Sequence, residues 1–203
     1  ITDEKYFSEL LQKDGVMVVE GSHGVLNDRL FGFNPHTTQL RILPQFTVDM
    51  LNRHGFDGDL VKIGVTRAYQ IRHGAGPMPT YDKTMSDSLL PGSSKLDSRW
   101  QGSVRTGALD FMLLRYAVDI CGGHDFFDGL AITWFDQIQL MKKWNVCYGY
   151  SNPDPRFINS DGNIKIFDGE ASKQVEYQMG LTNFLFNANP VISEVSIADN
   201  PIN

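Results

Sequence analysis

The sequence is poor in cysteine and has no long apolar run. Only two cysteines, Cys121 and Cys147, occur among 203 residues; this excludes a disulfide framework and a metal site built on cysteine. No histidine pair has the spacing of a structural zinc site, no apolar stretch is long enough to span a bilayer, and no signal peptide is recognisable. We therefore expect a protein of the reducing cytoplasm without a membrane partner.

Positive charge and the common phosphate-binding motifs are missing as well. The net charge of -6 argues against a nucleic-acid partner, although a local group of arginines can still hold a small anion. Neither G-x-x-x-x-G-K-[ST] nor G-x-G-x-x-G occurs. The sequence begins with Ile1 rather than Met, so we interpret it as a piece of a longer protein.

What is present is an alternation of strand and helix patterns. Short continuous apolar runs predict buried strands of a parallel sheet, and runs of helical period predict helices between them. The predicted strands are 16–19, 60–68, 130–135, 142–150 and 191–197, and the predicted helices are 2–13, 44–53, 108–120 and 170–186. Alternation in 142–150 favours an antiparallel or edge strand, and the turn at 160–162 predicts a hairpin. We predict an α/β fold with a mostly parallel central sheet, flanking helices and a small hairpin insertion.

Three polar loops lie where open α/β sheets bind ligands. Residues 20–38 follow the first predicted strand, 66–80 leave the second, and 99–107 lead into a helix. The second loop combines cations with small residues, which suits a phosphorylated ligand. A strand exit with solvated charges is the alternative. Residues 82–98, rich in Ser, Asp and Lys, are predicted to be a mobile segment.

Three segments in one order resemble adenylosuccinate synthetase. They are VVEGSHGVLND with GFNPHTT, then TRAYQIRHGAGPMPT, then QGSVRTGALDFMLLRYAV followed by LAITWFD. Order and spacing agree across about residues 15–137. The resemblance implies a P-loop NTPase-like fold in which residues 1–203 form the C-terminal part of a single domain, with the phosphate-loop part outside this sequence. It also implies a homodimer and Mg²⁺, whose ligands would lie outside this sequence.

The reaction implied by the resemblance joins L-aspartate to C6 of a purine mononucleotide after a nucleoside triphosphate has phosphorylated the 6-oxygen. The implied mononucleotide-binding residues are His23, Thr38, Arg72 and His73. The implied aspartate and 6-phosphoryl loop consists of Trp100, Gln101, Gly102, Ser103 and Arg105. The implied contacts to the triphosphate base are Trp134, Asp136 and Ser196. The family's catalytic Asp and His have no counterpart in this sequence.

Two departures from the family pattern bear on the substrates. Ser103 stands where the family has an Arg near the ribose 2′-hydroxyl, and Trp134 stands where it has a base-reading Lys. Both resemble a phage-type branch that uses dGMP with ATP or dATP. The ordinary substrates, IMP with GTP, remain an alternative, as do a non-catalytic purine-nucleotide-binding module and an unrelated α/β scaffold.

Three of the implied residues also have a purely structural interpretation. His23 suits a loop histidine bonded to backbone, and Arg72 suits a salt bridge to Asp82 or Glu20. Asp136 suits a helix cap. The aromatic residues of 142–150 are interpreted as sheet packing.

Overall fold

The computed structural model describes residues 3–89, 97–100 and 102–197. Its helices are α1 (Glu4–Leu11), α2 (Pro44–Arg53), α3 (Lys83–Leu89), α4 (Phe111–Ile120), α5 (Phe135–Met141) and α6 (Gln174–Phe186). Its strands are β1 (Ile63–Arg67), β2 (Gln70–Arg72), β3 (Asp97–Ser98), β4 (Gly102–Ser103), β5 (Arg105–Gly107), β6 (Leu109–Asp110), β7 (Gly129–Thr133), β8 (Lys143–Tyr150) and β9 (Pro190–Ser196). None of the helices in these ranges combines the length and the hydropathy that a bilayer span requires.

Parallel pairing occurs in two places. β1 pairs with β7 and β6 pairs with β8, both in parallel. β9 extends the second sheet antiparallel to β8, while β2 pairs with β5 and β3 with β4 in antiparallel ribbons. The predicted α/β class is confirmed. The described strands nevertheless form separate small sheets instead of one continuous central sheet.

The main core lies between α4, α6 and the loop that precedes α2. Tyr116 of α4 is completely buried at its centre. Its hydroxyl donates a hydrogen bond to the Phe31 carbonyl at 2.8 Å and accepts one from Gln178 Nε2 at 3.1 Å. Other buried members are Phe33, Leu43, Met112, Leu113, Ile120, Phe157, Ile164, Leu181 and Leu185. This core therefore fastens the first polar loop to the two longest apolar helices.

Two predicted buried strands are corrected by the structure. Residues 16–19 form no strand, and Val16 and Val18 are 95% and 86% exposed. The predicted strand 130–135 ends at Thr133, and Leu130 and Ile132 are exposed. An apolar run becomes a buried strand only when neighbours cover it, and among the described residues these runs have too few.

Other predictions were partly wrong. β8 was predicted to be an antiparallel or edge strand; its antiparallel pairing with β9 confirms the first alternative, and it lies between β6 and β9 instead of at an edge. The hairpin is reduced to one bridge between Ile158 and Ile164. Part of the segment predicted to be mobile is α3, whose first turn is capped when the Asp82 carboxylate accepts a hydrogen bond from Met85 N at 2.9 Å. Residues 90–96 of that segment lie outside the described residues.

The start of α4 depends on a buried carboxylate. Asp110 caps the helix by accepting hydrogen bonds from the backbone N–H groups of Met112 and Leu113, and it accepts a third from the Tyr150 hydroxyl at 2.8 Å. Burial raises the pKa of Asp110 from 3.8 to about 6, against the opposing effect of these hydrogen bonds. The carboxyl group of Asp110 is therefore a weaker acid in the folded protein than in the unfolded chain.

Replacing Asp110 with Asn is expected to flatten the pH dependence of stability. A folded pKa above the unfolded one gives stability that is complete below about pH 4 and is lost as pH rises through about 6. Two pKa units correspond to about 3 kcal/mol. Asn is an equally good cap and does not ionise, so Asp110→Asn should equal or exceed the wild type in stability at pH 7.

Urea unfolding at pH 4, 5, 6 and 7 measures this effect. Asp3 provides the control, because it caps α1 from an exposed position, and Asp3→Asn should leave the wild-type pH slope in place. An unchanged slope in Asp110→Asn would contradict the assignment.

Candidate functional site

Two arginines face each other across the ribbon formed by β2 and β5. Arg72 and Arg105 are register partners in this antiparallel pair, and residues directly opposite in such a pair project from the same face. Like charges in this position repel each other. The ribbon therefore concentrates two positive charges on one face.

Backbone carbonyls hold both guanidinium groups in place. Arg72 donates from Nε to the Ala75 carbonyl at 3.0 Å and from Nη2 to the His36 carbonyl at 3.1 Å. Arg105 donates from Nη2 to the carbonyls of Gly74 and Gly76 at 2.8 and 2.9 Å. The loop 73–76 is thus folded around the two cations.

Gly76 shows why this loop needs small residues. Its φ of 121° lies in a region that residues with a side chain rarely adopt, and a Cβ on it would stand 2.1 Å from Arg72 Nη2. The absence of a side chain at Gly76 thus allows the Arg72 guanidinium to lie against the backbone.

No carboxylate among the described side chains neutralises the positive charges of Arg72 and Arg105. No carboxylate among them lies within ion-pair distance of Arg72 or Arg105, so the predicted bridge from Arg72 to Asp82 or Glu20 does not form. Burial, and then Arg105, lowers the pKa of Arg72 from 12.5 to about 10. Burial, Arg72 and Arg105, in that order, lower the pKa of His36. An anion placed here would relieve both the repulsion and the desolvation of the pair.

The first polar loop borders the arginine pair. His36 supplies a carbonyl to Arg72, and Thr38 N donates to the Asn27 carbonyl at 2.9 Å. Asn27 Nδ2 in turn donates to the His23 carbonyl at 3.0 Å. Hydrogen bonds therefore join the predicted residues His23 and Thr38 through Asn27, and Thr38 lies two residues along the chain from His36, which contacts Arg72. The His23 side chain itself is exposed and its backbone is left-handed, with a φ of 63°.

The predicted aspartate loop is the β3–β4 hairpin just before Arg105. Gly102 and Ser103 form β4, and Trp100 at the turn is 86% exposed. Gln101 lies outside the described residues. His73, on the neighbouring loop, is exposed. The chain thus leads directly from this exposed hairpin to the cationic ribbon.

A second group of predicted residues lies at the carboxyl ends of β1 and β7. Trp134 follows β7 and Asp136 lies in the first turn of α5, where its carboxylate is exposed and accepts a hydrogen bond from Gln137 Nε2 at 3.0 Å. The N-cap of α5 is Trp134, so the predicted role of Asp136 as the cap is wrong. Ser196 ends β9, and the next residue, Ile197, packs against the same buried cluster as Phe135.

The site residues implied by the resemblance do not include Arg67 or His36. Arg67 ends β1, and its guanidinium carbon lies 4.8 Å from the centroid of the Trp134 ring. Its position at the end of a predicted strand was the available signal. His36 enters through its main-chain carbonyl, which no residue pattern reports.

Two concavities of the surface are lined by residues other than the predicted site residues. Concavities of about 540 and 260 Å³ lie over α2 and beside the turn at 159–162, and no predicted site residue lines either one. Within the described part of the chain, no three His, Cys, Asp or Glu side chains are grouped so that they could hold a metal ion. The residues present therefore do not fit the implied Mg²⁺, and we assign it no ligand here.

Comparison with known proteins identifies the family. The family description Adenylosuccinate synthetase matches residues 1–180. An adenylosuccinate synthetase from Thermoplasma volcanium is 31% identical over 146 residues, covering 70% of this chain and 32% of that protein. One from Hydrogenobaculum sp. is 30% identical over 149 residues, covering 71% of this chain and 34% of that protein. The chain therefore spans about a third of the length of these curated relatives.

The fold has a solved counterpart. The structure of a fully ligated adenylosuccinate synthetase from Plasmodium falciparum superposes with a TM-score of 0.63 at 17% identity, covering 97% of this chain and 42% of that one. At this identity the likeness concerns the fold, which agrees with the predicted P-loop NTPase-like class. With the family match over most of its length, this chain belongs to the adenylosuccinate synthetase family.

Proposed function

We propose that the protein is part of a ligase that joins L-aspartate to C6 of a 6-oxopurine mononucleotide through a 6-phosphoryl intermediate driven by a nucleoside triphosphate. The observation that carries this proposal is the pair Arg72 and Arg105, opposed across a ribbon and held only by backbone carbonyls among the described partners. Two fixed cations with no carboxylate beside them suit a ligand that brings its own negative charge.

The proposed reaction explains why two fixed cations are useful in this site. An amide-like oxygen is a poor leaving group, whereas phosphate is a good one, so the 6-oxygen is phosphorylated before the aspartate amine attacks C6. Phosphoryl transfer depends on positioning and charge neutralisation, and preorganised donors stabilise charge that develops in the transition state. A fixed guanidinium meets both needs for a carboxylate or a phosphoryl group.

The proposed roles follow the two groups of residues. The mononucleotide contacts are His23, Thr38, Arg72 and His73. The aspartate and 6-phosphoryl contacts are Trp100, Gln101, Gly102, Ser103 and Arg105. The contacts to the base of the triphosphate are Trp134, Asp136 and Ser196. Residues 1–203 are proposed to be the C-terminal part of one domain, in a cytoplasmic homodimer whose phosphate loop, catalytic Asp and His, and Mg²⁺ ligands lie outside these residues.

The mononucleotide has two candidates. Ser103 in place of a family Arg favours dGMP, since it removes a contact near the ribose 2′-hydroxyl. The relatives described above are adenylosuccinate synthetases, and IMP fits them at least as well. A non-catalytic nucleotide-binding module is the third possibility, and the same assay separates it from both.

The deciding experiment incubates the complete protein with L-aspartate, Mg²⁺, either IMP or dGMP, and either GTP or ATP. We expect succinylated nucleotide and free phosphate in equal amounts, detected by chromatography and a phosphate assay. Product from dGMP supports the phage-type branch, and product from IMP with GTP alone contradicts it. Binding of a mononucleotide without any product favours the module, and the absence of binding at millimolar nucleotide contradicts the whole proposal.

A further inference from the structure

The ends of β1 and β7 are locked side by side. Arg67 and Thr133 are register partners, Thr133 Oγ1 donates to the Thr66 carbonyl at 3.1 Å, and Ala68 N donates to the Thr133 carbonyl at 2.8 Å. Arg67 is the last residue of β1, and Trp134 is the first residue after β7. The paired strand ends therefore fix the backbone positions of both residues.

The indole of Trp134 is held in an unusual position. Its backbone lies in the left-handed region, with φ 60° and ψ 28°, where a bulky residue costs on the order of 1 kcal/mol or more in strain and such strain concentrates at ligand sites. The guanidinium carbon of Arg67 lies over the Trp134 ring, 4.8 Å from its centroid. The centroid of the Tyr69 ring lies 5.7 Å from that of Trp134, and the two ring planes make an angle of 53°. Trp134 nevertheless stays 41% exposed.

The contact with Trp134 leaves the hydrogen-bond donors of Arg67 available. A cation–π contact with the ring face uses the charge of the guanidinium and none of its N–H groups as conventional hydrogen-bond donors. Among the described residues no carboxylate or carbonyl accepts from the Arg67 side chain, and the residue is exposed. The N–H donors of Arg67, unpaired among the described residues, thus lie at the carboxyl ends of the parallel strands β1 and β7.

Asp136 brings a negative charge to the same strand ends, because it lies in the first turn of the helix that follows β7. Burial raises the pKa of Tyr69, and Arg67 and Asp136 then act on it with opposite signs, so both charged groups are within electrostatic reach of its hydroxyl. Asp136 lies in the first turn of α5, two residues after Trp134, so a carboxylate and the Arg67 guanidinium both lie near the carboxyl ends of β1 and β7.

We propose that Arg67, positioned by Trp134, is a specificity-determining residue that donates to the O6 and N7 acceptors of the triphosphate's purine. Guanine offers O6 and N7 side by side, the pair that arginine binds in a bidentate manner, and its N1–H and amino group would face Asp136. Adenine would instead place its amino group against the donors of Arg67. The loss of the family's Lys at Trp134 therefore does not by itself turn the site toward adenine. This inference rests on the proposed function.

The test compares triphosphates on the complete protein. Competition binding and kcat/KM are measured with GTP, ATP and 7-deaza-GTP, which lacks the N7 acceptor. We expect at least tenfold preference for GTP over ATP, and about tenfold weaker use of 7-deaza-GTP. Arg67→Gln should lower the affinity for GTP by about 10- to 100-fold and change that for ATP by less than threefold.

The controls distinguish a failure of the proposed role of Arg67 from a failure of the proposed ligase function. Arg115 is an exposed arginine of α4 that lines the concavity beside the turn at 159–162, and Arg115→Gln should leave the GTP-to-ATP ratio unchanged. If wild-type protein uses ATP as well as GTP, or 7-deaza-GTP as well as GTP, the role of Arg67 is wrong while the ligase assignment stands. This comparison needs no variant, so poor folding of Arg67→Gln does not obscure it. Failure of every triphosphate to bind contradicts the proposed function instead.

Discussion

Replacing Arg105 with Ala is expected to raise the KM for aspartate and lower kcat, so that kcat/KM falls by about 100- to 10,000-fold. A hydrogen bond to a charged group contributes about 1.5–3 kcal/mol, and we propose that Arg105 makes two such bonds to a carboxylate or phosphoryl oxygen. Each factor of ten in rate corresponds to about 1.4 kcal/mol, which gives this range. Steady-state kinetics of the complete protein, with aspartate varied, measure the effect.

Arg105→Lys separates charge from geometry. Lys restores a positive charge but lacks the planar fork, so it should recover only a small part of the lost activity. Arg53 offers a control for charge alone, because it is an exposed arginine of α2 whose Nε, among the described residues, donates to the Asp49 carbonyl of its own helix. Arg53→Ala should change kcat/KM by less than threefold. If the two alanine variants behave alike, Arg105 is not a ligand contact.

Protein stability distinguishes a binding defect from a folding defect in the same variant. Arg105 ties down the carbonyls of Gly74 and Gly76, and its loss removes those bonds. It also removes the repulsion that helps lower the pKa of Arg72. The two effects oppose each other, so the melting temperature of Arg105→Ala should lie close to that of the wild type.

The helices were the part of the fold that the sequence predicts best. α2 begins with Pro44 at its first turn, and Pro is favoured there because its missing N–H would be unpaired anyway. α4 was predicted to begin at residue 108 but begins after Asp110, since that side chain caps the helix and residues 109–110 pair with β8. Local signals thus find a helix, while a tertiary contact decides where it starts.

The strands failed where they depend on partners far away in the chain. Residues 16–19 have the composition of a buried strand, yet nothing among the described residues covers them. β1 is likewise exposed, with Val65 at 69%. A two-stranded parallel sheet with exposed apolar faces is far from the usual burial of parallel sheets. We infer that these strands belong to a larger sheet, consistent with the chain spanning about a third of its curated relatives.

The site residues were found by resemblance, but their arrangement was not readable from the sequence. The opposition of Arg72 and Arg105 depends on the register of β2 and β5, and a shift of one residue would send one of them to the other face. The stacking of Arg67 on Trp134 depends on the parallel pairing of β1 and β7. The resemblance therefore proposes which side chains belong to the site, and strand register decides which of them lie side by side.

The same ribbon gives the largest expected effect on stability, at a glycine next to the arginine pair. A Cβ on Gly107 would lie 1.9 Å from the Thr80 carbonyl oxygen and 2.5 Å from its carbon. These are backbone atoms, so no rotamer change relieves the clash. The backbone at 80–81 would have to move, which breaks the bridge between Tyr81 and Gly107 and the hydrogen bond from Asp82 N to the Thr106 carbonyl.

Gly107→Ala is therefore expected to destabilise the protein by about 3 kcal/mol or more, at the upper end of overpacking effects. This corresponds to a fall of about 10 °C in the melting temperature for a domain of this size. Gly149 in β8 is the matched control, because a Cβ there meets nothing within 4 Å, and Gly149→Ala should change stability by less than about 1 kcal/mol. Because the displaced strand carries Arg105, Gly107→Ala should also weaken nucleotide binding in the folded fraction. Equal melting temperatures for the two variants would contradict the packing of β5 against residues 80–81, and with it the register that brings the two arginines together.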